Sequence, residues 1–501
     1  MPLDVSALSD EERLRQLGYS QVLDRRLSGF SNFAVSFTII SVLAGCLTLY
    51  GFGMNTGGPA MIVWGWAVVG LMTLFVGLSM AEVCSSYPTS AGLYFWAHRM
   101  AAPRTAAAWA WFTGWFNVLG QVAVTAGIDF GAASFLNAYL ALQFGFASTP
   151  VHTVVLLAVI LVLHGLVNTF GVRLVGAINR LSVWWHVVGV LIIVGALSLI
   201  PAHHQSAGFV FGKFVNNTGW HSAFYVGMLS LLVAQYTFTG YDASAHMTEE
   251  TNNAAVAGPR GIVRSIWISW IAGFVLLVGL TFAIKSYDGA LHSSTGVAPA
   301  QIFIDALGET GGKLLLLIAI GAQLFCGMAS VTANSRMIYA FSRDGALPFS
   351  RVWHHINPKT RTPTNAVWLA TLGAMILGLP YLINTTAYAA VTSIAVIGLY
   401  IAYVIPTFLR LRQGDEFERG PWHLGGASRV IGTIAVIWVV FITVLFMLPQ
   451  VHPVTWGTFN YAPIAVLVVL GFATAWWLAS AHKWFLATNT PRRHRHARSV
   501  R

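Results

Sequence analysis

Apolar residues run through the chain in blocks of about twenty, each closed by a short polar stretch. Twenty helical residues rise about 30 Å, the thickness of bilayer hydrocarbon. Blocks near that length lie at 31–54, 60–80, 106–128, 151–168, 182–200, 220–245, 262–284, 313–335, 364–382, 388–409, 429–448 and 461–481, and the third continues toward Leu142. They predict twelve transmembrane helices. Residues 1–29 are polar, so no cleavable signal peptide is expected before the first span. Within them Ser9 and Glu12 have capping-box spacing, which predicts a short surface helix.

Composition agrees with the pattern. Of the 501 residues, 56% are hydrophobic and only 9% charged, against about 25% charged in a soluble domain. A soluble enzyme, a disordered chain and a disulfide scaffold are excluded. The 48 Gly suit close approach of helices, and the 19 Trp and 15 Tyr suit membrane interfaces. Cys46, Cys84 and Cys326 stand singly without CxxC spacing, so neither a disulfide framework nor a metal site is expected, and no cofactor is implied.

Charge orients the spans. Of the 28 Lys and Arg residues, all but Lys213, Lys285 and Lys313 fall in the termini or in connections on the same side as the termini. The positive-inside rule therefore makes both termini cytoplasmic. One missed span would scramble this split. The tail PRRHRHARSVR then reads as a solvated basic cluster beside anionic lipid, with no nucleic-acid partner.

Two spans are interrupted. SVLAGCLTLYGFGMNTGGPA crowds five glycines into the first, and AQYTFTGYDASAHMTEE places Thr239, Gly240, Tyr241 and Asp242 within the sixth. Backbone unwinds at membrane depth only where protein or a wet cavity satisfies it. Interrupted helices at matching positions of two halves point to a transporter's binding site, and spans 1 and 6 match under a five-plus-five repeat. Asp242 adds an intramembrane carboxylate, costly by about 2.5–3.5 kcal/mol on insertion scales. In span 3, Asn117, Gln121, Thr125 and Asp129 recur every fourth residue and form one polar stripe. The stripe faces protein, as polar packing between helices, or lines a permeation pathway with Asp129 near its outer end.

The chain resembles the amino acid–polyamine–organocation superfamily of permeases, most closely its amino acid/choline transporter branch. LGYSQVLDRRLSGFSNFAVSFTIISVLAGC, EVCSSYPTSAGLYFWA, FTGYDASAHMTEETNNAAVAGPRGI and SRMIYAFSRDGALP carry the resemblance, which runs from about Leu17 to His482. It implies an all-α fold of twelve transmembrane helices. Spans 1–5 and 6–10 form an inverted repeat with discontinuous helices 1 and 6, and two peripheral helices follow. The expected division is a cytoplasmic segment over 1–29, a transporter core over 30–410, helices 11 and 12 over 411–482, and a basic tail over 483–501.

The same resemblance implies a small amine or amino acid bound between the two breaks. The family's Gly-X-Gly break falls on Leu43-Ala44-Gly45, where only the last glycine is kept. Freed amides of Ala44, Gly45 and Cys46 would bind a carboxylate. The sixth-helix pattern falls on Tyr236, Phe238 and Gly240, with the acidic position at Asp242. Phe238 and Tyr241 would close over an amine by cation–π attraction, while Asp242 either faces substrate or locks its helix to a neighbour. Relatives place a lysine in span 5, seven residues after an Asn; Asn179 and His186 meet that spacing. An imidazole there suggests a coupling proton, the alternative being a neutral histidine bonded within the bundle. His164 reads as an imidazole bonded to a neighbouring helix. Glu249, Glu250, Arg260 and Arg343 match loop motifs and are candidates for a cytoplasmic gate.

These readings converge on a secondary active permease of the plasma membrane. It would move a small amino acid, γ-aminobutyrate, choline or a polyamine by alternating access, with proton symport or substrate exchange as the mode. Oligomeric state is not legible. An enzyme would need a nucleophile–base pair or a metal motif, a channel a repeated filter, and an ATP-driven pump a phosphate loop; none is present in the sequence.

Overall fold

In lipid every backbone polar group has to be satisfied within its own segment, so the long apolar blocks become helices. A computed structural model describes residues 9–170, 172–384 and 386–485; the basic run 491–501 lies outside the described residues. Among the described residues, eleven helices are long and apolar enough to cross a membrane. The twelfth span, sixth in order, is broken into Ala223–Ser230, Leu232–Thr237 and Ala243–His246. Span 1 is likewise in pieces, Gly29–Ile40, Val42–Thr48 and Tyr50–Asn55. Spans 2 to 5 are Gly58–Ser86, Ala106–Phe144, Pro150–Thr169 and Val172–Leu199. Spans 7 to 9 are Ala254–Phe282, Ala298–Arg343 and Thr364–Gly378. Spans 10 to 12 are Ala387–Gln413, Ser428–Met447 and Ala462–Ala479.

Span 3 runs 39 residues, the expected extension toward Leu142 being helical throughout. Two details differ from the sequence reading. Span 8 runs 46 residues because a separate leg precedes Gly308, whose φ of 72° kinks the helix. A further short helix, Gly92–Met100, lies between spans 2 and 3; its mixed polarity carried no span signal.

The packing has the symmetry of an inverted repeat. Exchanging spans 1–5 for 6–10 should map each contact onto another. Span 3 packs on span 10, and its image, span 8 on span 5, is present. Span 1 on span 7 is matched by span 6 on span 2, and span 1 on span 5 by span 6 on span 10. Spans 3 and 4 are matched by spans 8 and 9, and spans 2 and 7 pair with each other. Spans 11 and 12 pack outside this set, on spans 2, 3 and 10.

The predicted surface helix is Asp10–Gln16, and Ser9 and Glu12 form its capping box. It is docked rather than free: Leu14 is buried, and Asp10 accepts hydrogen bonds from the backbone N–H groups of Asn253 and Ala254. A carboxylate there offsets the positive start of span 7. Both described ends of the chain lie at one end of the bundle, where Tyr19 meets Asp344 and Trp484 lies against Gly345.

Candidate functional site

Span 1 breaks at Ser41, which takes φ 23°. Its hydroxyl accepts from Ala44 N–H, and its carbonyl accepts from Ala44 and Gly45 N–H, so the helix restarts at once. The freed amides are therefore those of Val42 and Leu43, which have no acceptor among the described residues. The expectation of free amides at Ala44, Gly45 and Cys46 is corrected: serine, not the glycine pattern, marks the break. Gly45 serves close approach instead, since a Cβ there would lie 2.5 Å from Thr237 Oγ1 in span 6. On the other side of the break, the carbonyl of Ile39 accepts from the Cys326 thiol of span 8 at 3.2 Å.

His186 stands directly against this break. Its Nε2 is 2.7 Å from Ser41 Oγ, and its Nδ1 is 2.8 Å from the carbonyl of Ser182. A carbonyl only accepts, so Nδ1 carries the hydrogen and Ser41 donates to Nε2. His186 thus makes its hydrogen bond to span 1 through the Ser41 hydroxyl.

Span 6 opens between Phe238 and Asp242, with Gly240 at φ 84° and so close that a Cβ would meet Ile39 at 2.1 Å. The two breaks thus face each other. Phe238 stacks on Trp66 of span 2 at 4.5 Å, and Tyr241 lies on Tyr403 of span 10 at 4.9 Å. Each ring thus has an aromatic partner on a flanking span. Thr239 bonds back to the Tyr236 carbonyl, and Tyr236 approaches span 3 at Gly127.

Asp242 is fully buried and held from three sides. Gln121 Nε2 donates at 2.7 Å, Tyr403 at 2.6 Å, and His246 Nε2 lies 3.2 Å away. It bridges spans 3, 6 and 10. The whole span-3 stripe faces protein: Asn117 meets His246, Thr125 meets Ser330 and Asn334, and Asp129 meets His164 at 3.1 Å. Asp129 is therefore buried against protein, and His164 is its partner. Gly327 makes room for the pair, since a Cβ there would lie 1.7 Å from Asp129 Oδ1.

Sequence reasoning missed His246 and Gln323, among others. His246 lies one turn after Asp242, and that i, i+4 spacing was a usable signal. Gln323 of span 8 is buried with neither amide atom partnered among the described residues, four positions before Gly327 on the same helical face. Nothing in the sequence distinguishes it.

The bundle end that carries the termini is closed by buried charge. Arg343 grips Glu249 with two bonds of 3.2 Å and lies over the Tyr19 ring at 4.1 Å. Glu249 also accepts from Ser90 N–H at 3.0 Å. Glu250 pairs with Arg336 at 2.9 Å, a partner sequence did not supply. Arg260 is exposed and makes no ion pair among the described residues, which corrects its place in the gate. Tyr19 and Tyr94 both donate to Asp344 at 2.9 Å, and burial pushes that carboxyl above its usual range against the pull of Arg343. The opposite end is hollow. A cavity of about 310 Å³ reaches inward between Thr48, Phe52, Phe130 and Tyr388. Phe130 stacked on Tyr388 at 4.7 Å floors it.

The chain is similar to known proteins over most of its length. The model of the amino acid permease family matches residues 27–471. Amino-acid permease BAT1 of Arabidopsis thaliana is 44% identical over 95% of this chain and 96% of its own length. Its rice (Oryza sativa subsp. japonica) homolog is 45% identical over 94% of each chain. The GABA-specific permease of Saccharomyces cerevisiae is 32% identical over 91% of this chain and 81% of its own.

Proposed function

The chain belongs to the amino acid permease family, and on that premise we propose that it is a secondary active transporter of a small amino acid, γ-aminobutyrate included, working by alternating access with a coupling proton. The observation that carries this reading is the meeting of two broken helices, Gly45 against Thr237 and Gly240 against Ile39. Such a meeting leaves backbone donors and acceptors at mid-membrane, where a zwitterion needs both. The substrate carboxylate takes the free amides of Val42 and Leu43. The amine turns to the side of Tyr236, Gln323 and the Asp129 carboxylate.

The plasma membrane is the proposed location, with the Arg-rich closed end cytoplasmic and the hollow end outside. In this orientation the chain is poised to receive solute from outside, and release requires the Arg343–Glu249 and Arg336–Glu250 pairs to part. His186 is the proposed coupling residue. A second proton on Nε2 reverses its bond with Ser41, so the hydroxyl can no longer donate to it, and the break reorganises.

Uptake by the reconstituted protein tests this. Labelled γ-aminobutyrate, alanine, choline and putrescine are offered with and without an inward proton gradient. An amino acid should accumulate with the gradient, and His186→Gln should lose that dependence. Unchanged pH dependence in both His186→Gln and His186→Lys would remove the histidine from the mechanism. Failure to move any of the four solutes would remove the transporter reading.

A further inference from the structure

His246 is buried in the short helix that follows the span-6 break, and both its ring nitrogens face oxygens that only accept. Nδ1 is 3.0 Å from the Ser90 carbonyl, and Nε2 is 3.2 Å from Asp242 Oδ2. A neutral imidazole has one N–H, so it can serve one of these contacts and leaves lone pairs opposed at the other. Both are served when the pair carries one extra proton, on Nε2 or on Oδ2. The remaining Asp242 contacts are donors, Gln121 and Tyr403, and cannot lend it. Asn117 approaches Nε2 at 3.3 Å, and its buried Oδ1 has no partner; turning the amide gives Nε2–H a second acceptor.

The pair also has an address. Ser90, whose carbonyl holds His246, gives its N–H to Glu249, and Glu249 is gripped by Arg343. One line of hydrogen bonds thus runs from the span-6 break to the ion pair that closes the end carrying the termini. We infer that Asp242 and His246 form a proton-binding pair that latches this gate: protonated, it holds Ser90 in place for Glu249, and deprotonated, it keeps its one N–H on the charged carboxylate, the stronger acceptor, and releases Ser90. His246 acts as a positioning residue. The inference rests on the alternating-access reading and adds a proton site distinct from His186, which lies against the other break.

Charged and titratable groups reach the latch from several elements. The short helix Gly92–Met100, which lies against His246 at Gly92, presents Tyr94, bonded to Asp344. Span 3 presents only the neutral amides Asn117 and Gln121, and span 10 presents Tyr403. Span 8 presents Arg336 and Arg343, committed to Glu250 and Glu249. Span 1 contributes Asn32 and Ser36, bonded to Ser244, and span 2 contributes the Cys84 thiol beside Thr248. Among the described residues, Asp242 is the one carboxylate in contact with the imidazole.

The test reads the gate directly. Thr89, buried next to Ser90, is replaced in the full chain, Thr89→Cys, and labelled with a maleimide across about pH 5 to 8. Labelling is normalised to the same protein denatured at each pH and corrected for the chain without the added thiol. The labelled fraction should rise with pH, by at most about tenfold per unit for one proton. His246→Gln and Asp242→Asn should each flatten that rise. A flat profile with His246 intact overturns the inference, as does an unchanged rise in His246→Gln. If His246→Gln fails to give a monodisperse protein, Asp242→Asn and the intact-histidine profile decide. No solute is needed, so a permease that transports none of the offered solutes leaves this result readable.

Discussion

Single residues set how closely the two broken helices meet and how the gate responds to acid. Gly240 is required twice over, by its φ of 84° and by Ile39 Cγ2, 2.1 Å from where a Cβ would stand. At the gate, Asp344 takes hydroxyl bonds from Tyr19 and Tyr94, yet its carboxyl is raised, burial outweighing Arg343 and those bonds. The sign follows from proton counting. An unfolded aspartate ionises near about pH 3.9, while the folded one keeps its proton to higher pH. Stability from this group is thus fullest below the unfolded value and falls as pH rises toward the folded one. Asp344→Asn should remove that decline. The melting-temperature difference, variant minus parent, should grow with pH through the acid range and then level off; a difference constant in pH contradicts it.

At the scale of elements, span 1 shows what a sequence hides. Twelve spans were legible because each element needs its own apolar block, and span 6 was legible as broken because Gly240 and Asp242 interrupt such a block. The position of the span-1 break was not. Glycine was the visible marker, but Ser41 both takes the strained φ and caps the restarted helix, which no local pattern announces. The Asp129–His164 pair and the Arg336–Glu250 pair were hidden for another reason. Their partners come from different helices, and only the packing brings them together. Ser41→Ala deletes the cap of Ala44 and the donor to His186 in one change. A cap is worth about 0.5–2 kcal/mol, and an orphaned buried acceptor about 1–3 kcal/mol. The melting temperature should fall accordingly, and uptake should fall further than in Thr38→Val. That control removes a buried hydroxyl bond to Ser182 from the helix before the break and leaves the Ser41 contacts with Ala44 and His186 in place. Equal losses in the two variants would deny Ser41 any special place.

For the whole molecule, the asymmetry between the two ends decides which way the bundle faces. One end is tied by Arg343–Glu249, by Arg336–Glu250 and by the N-terminal segment, where Arg25 and Gln21 donate to carbonyls of residues 248–251 and Asp10 caps span 7. The other holds a cavity of about 310 Å³ floored by stacked rings. Glu249 is completely buried, so removing Arg343 alone strands a charge, a loss that reaches about 3–5 kcal/mol for fully buried pairs and is reduced here by the partial exposure of Arg343. Removing both charges strands neither. The Arg343→Gln and Glu249→Gln variants should therefore each lower the melting temperature, and the double variant should recover part of the loss rather than sum the two. Facing direction behaves differently. All three variants lose the Arg343–Glu249 tie and keep only Arg336–Glu250 between span 8 and the segment after span 6, so all three should label more readily at Thr89→Cys than the parent. Stability recovered in the double variant without the gate closing again separates the ion pair's conformational role from its part in folding. A double variant that labels like the parent would mean that the gate is held elsewhere.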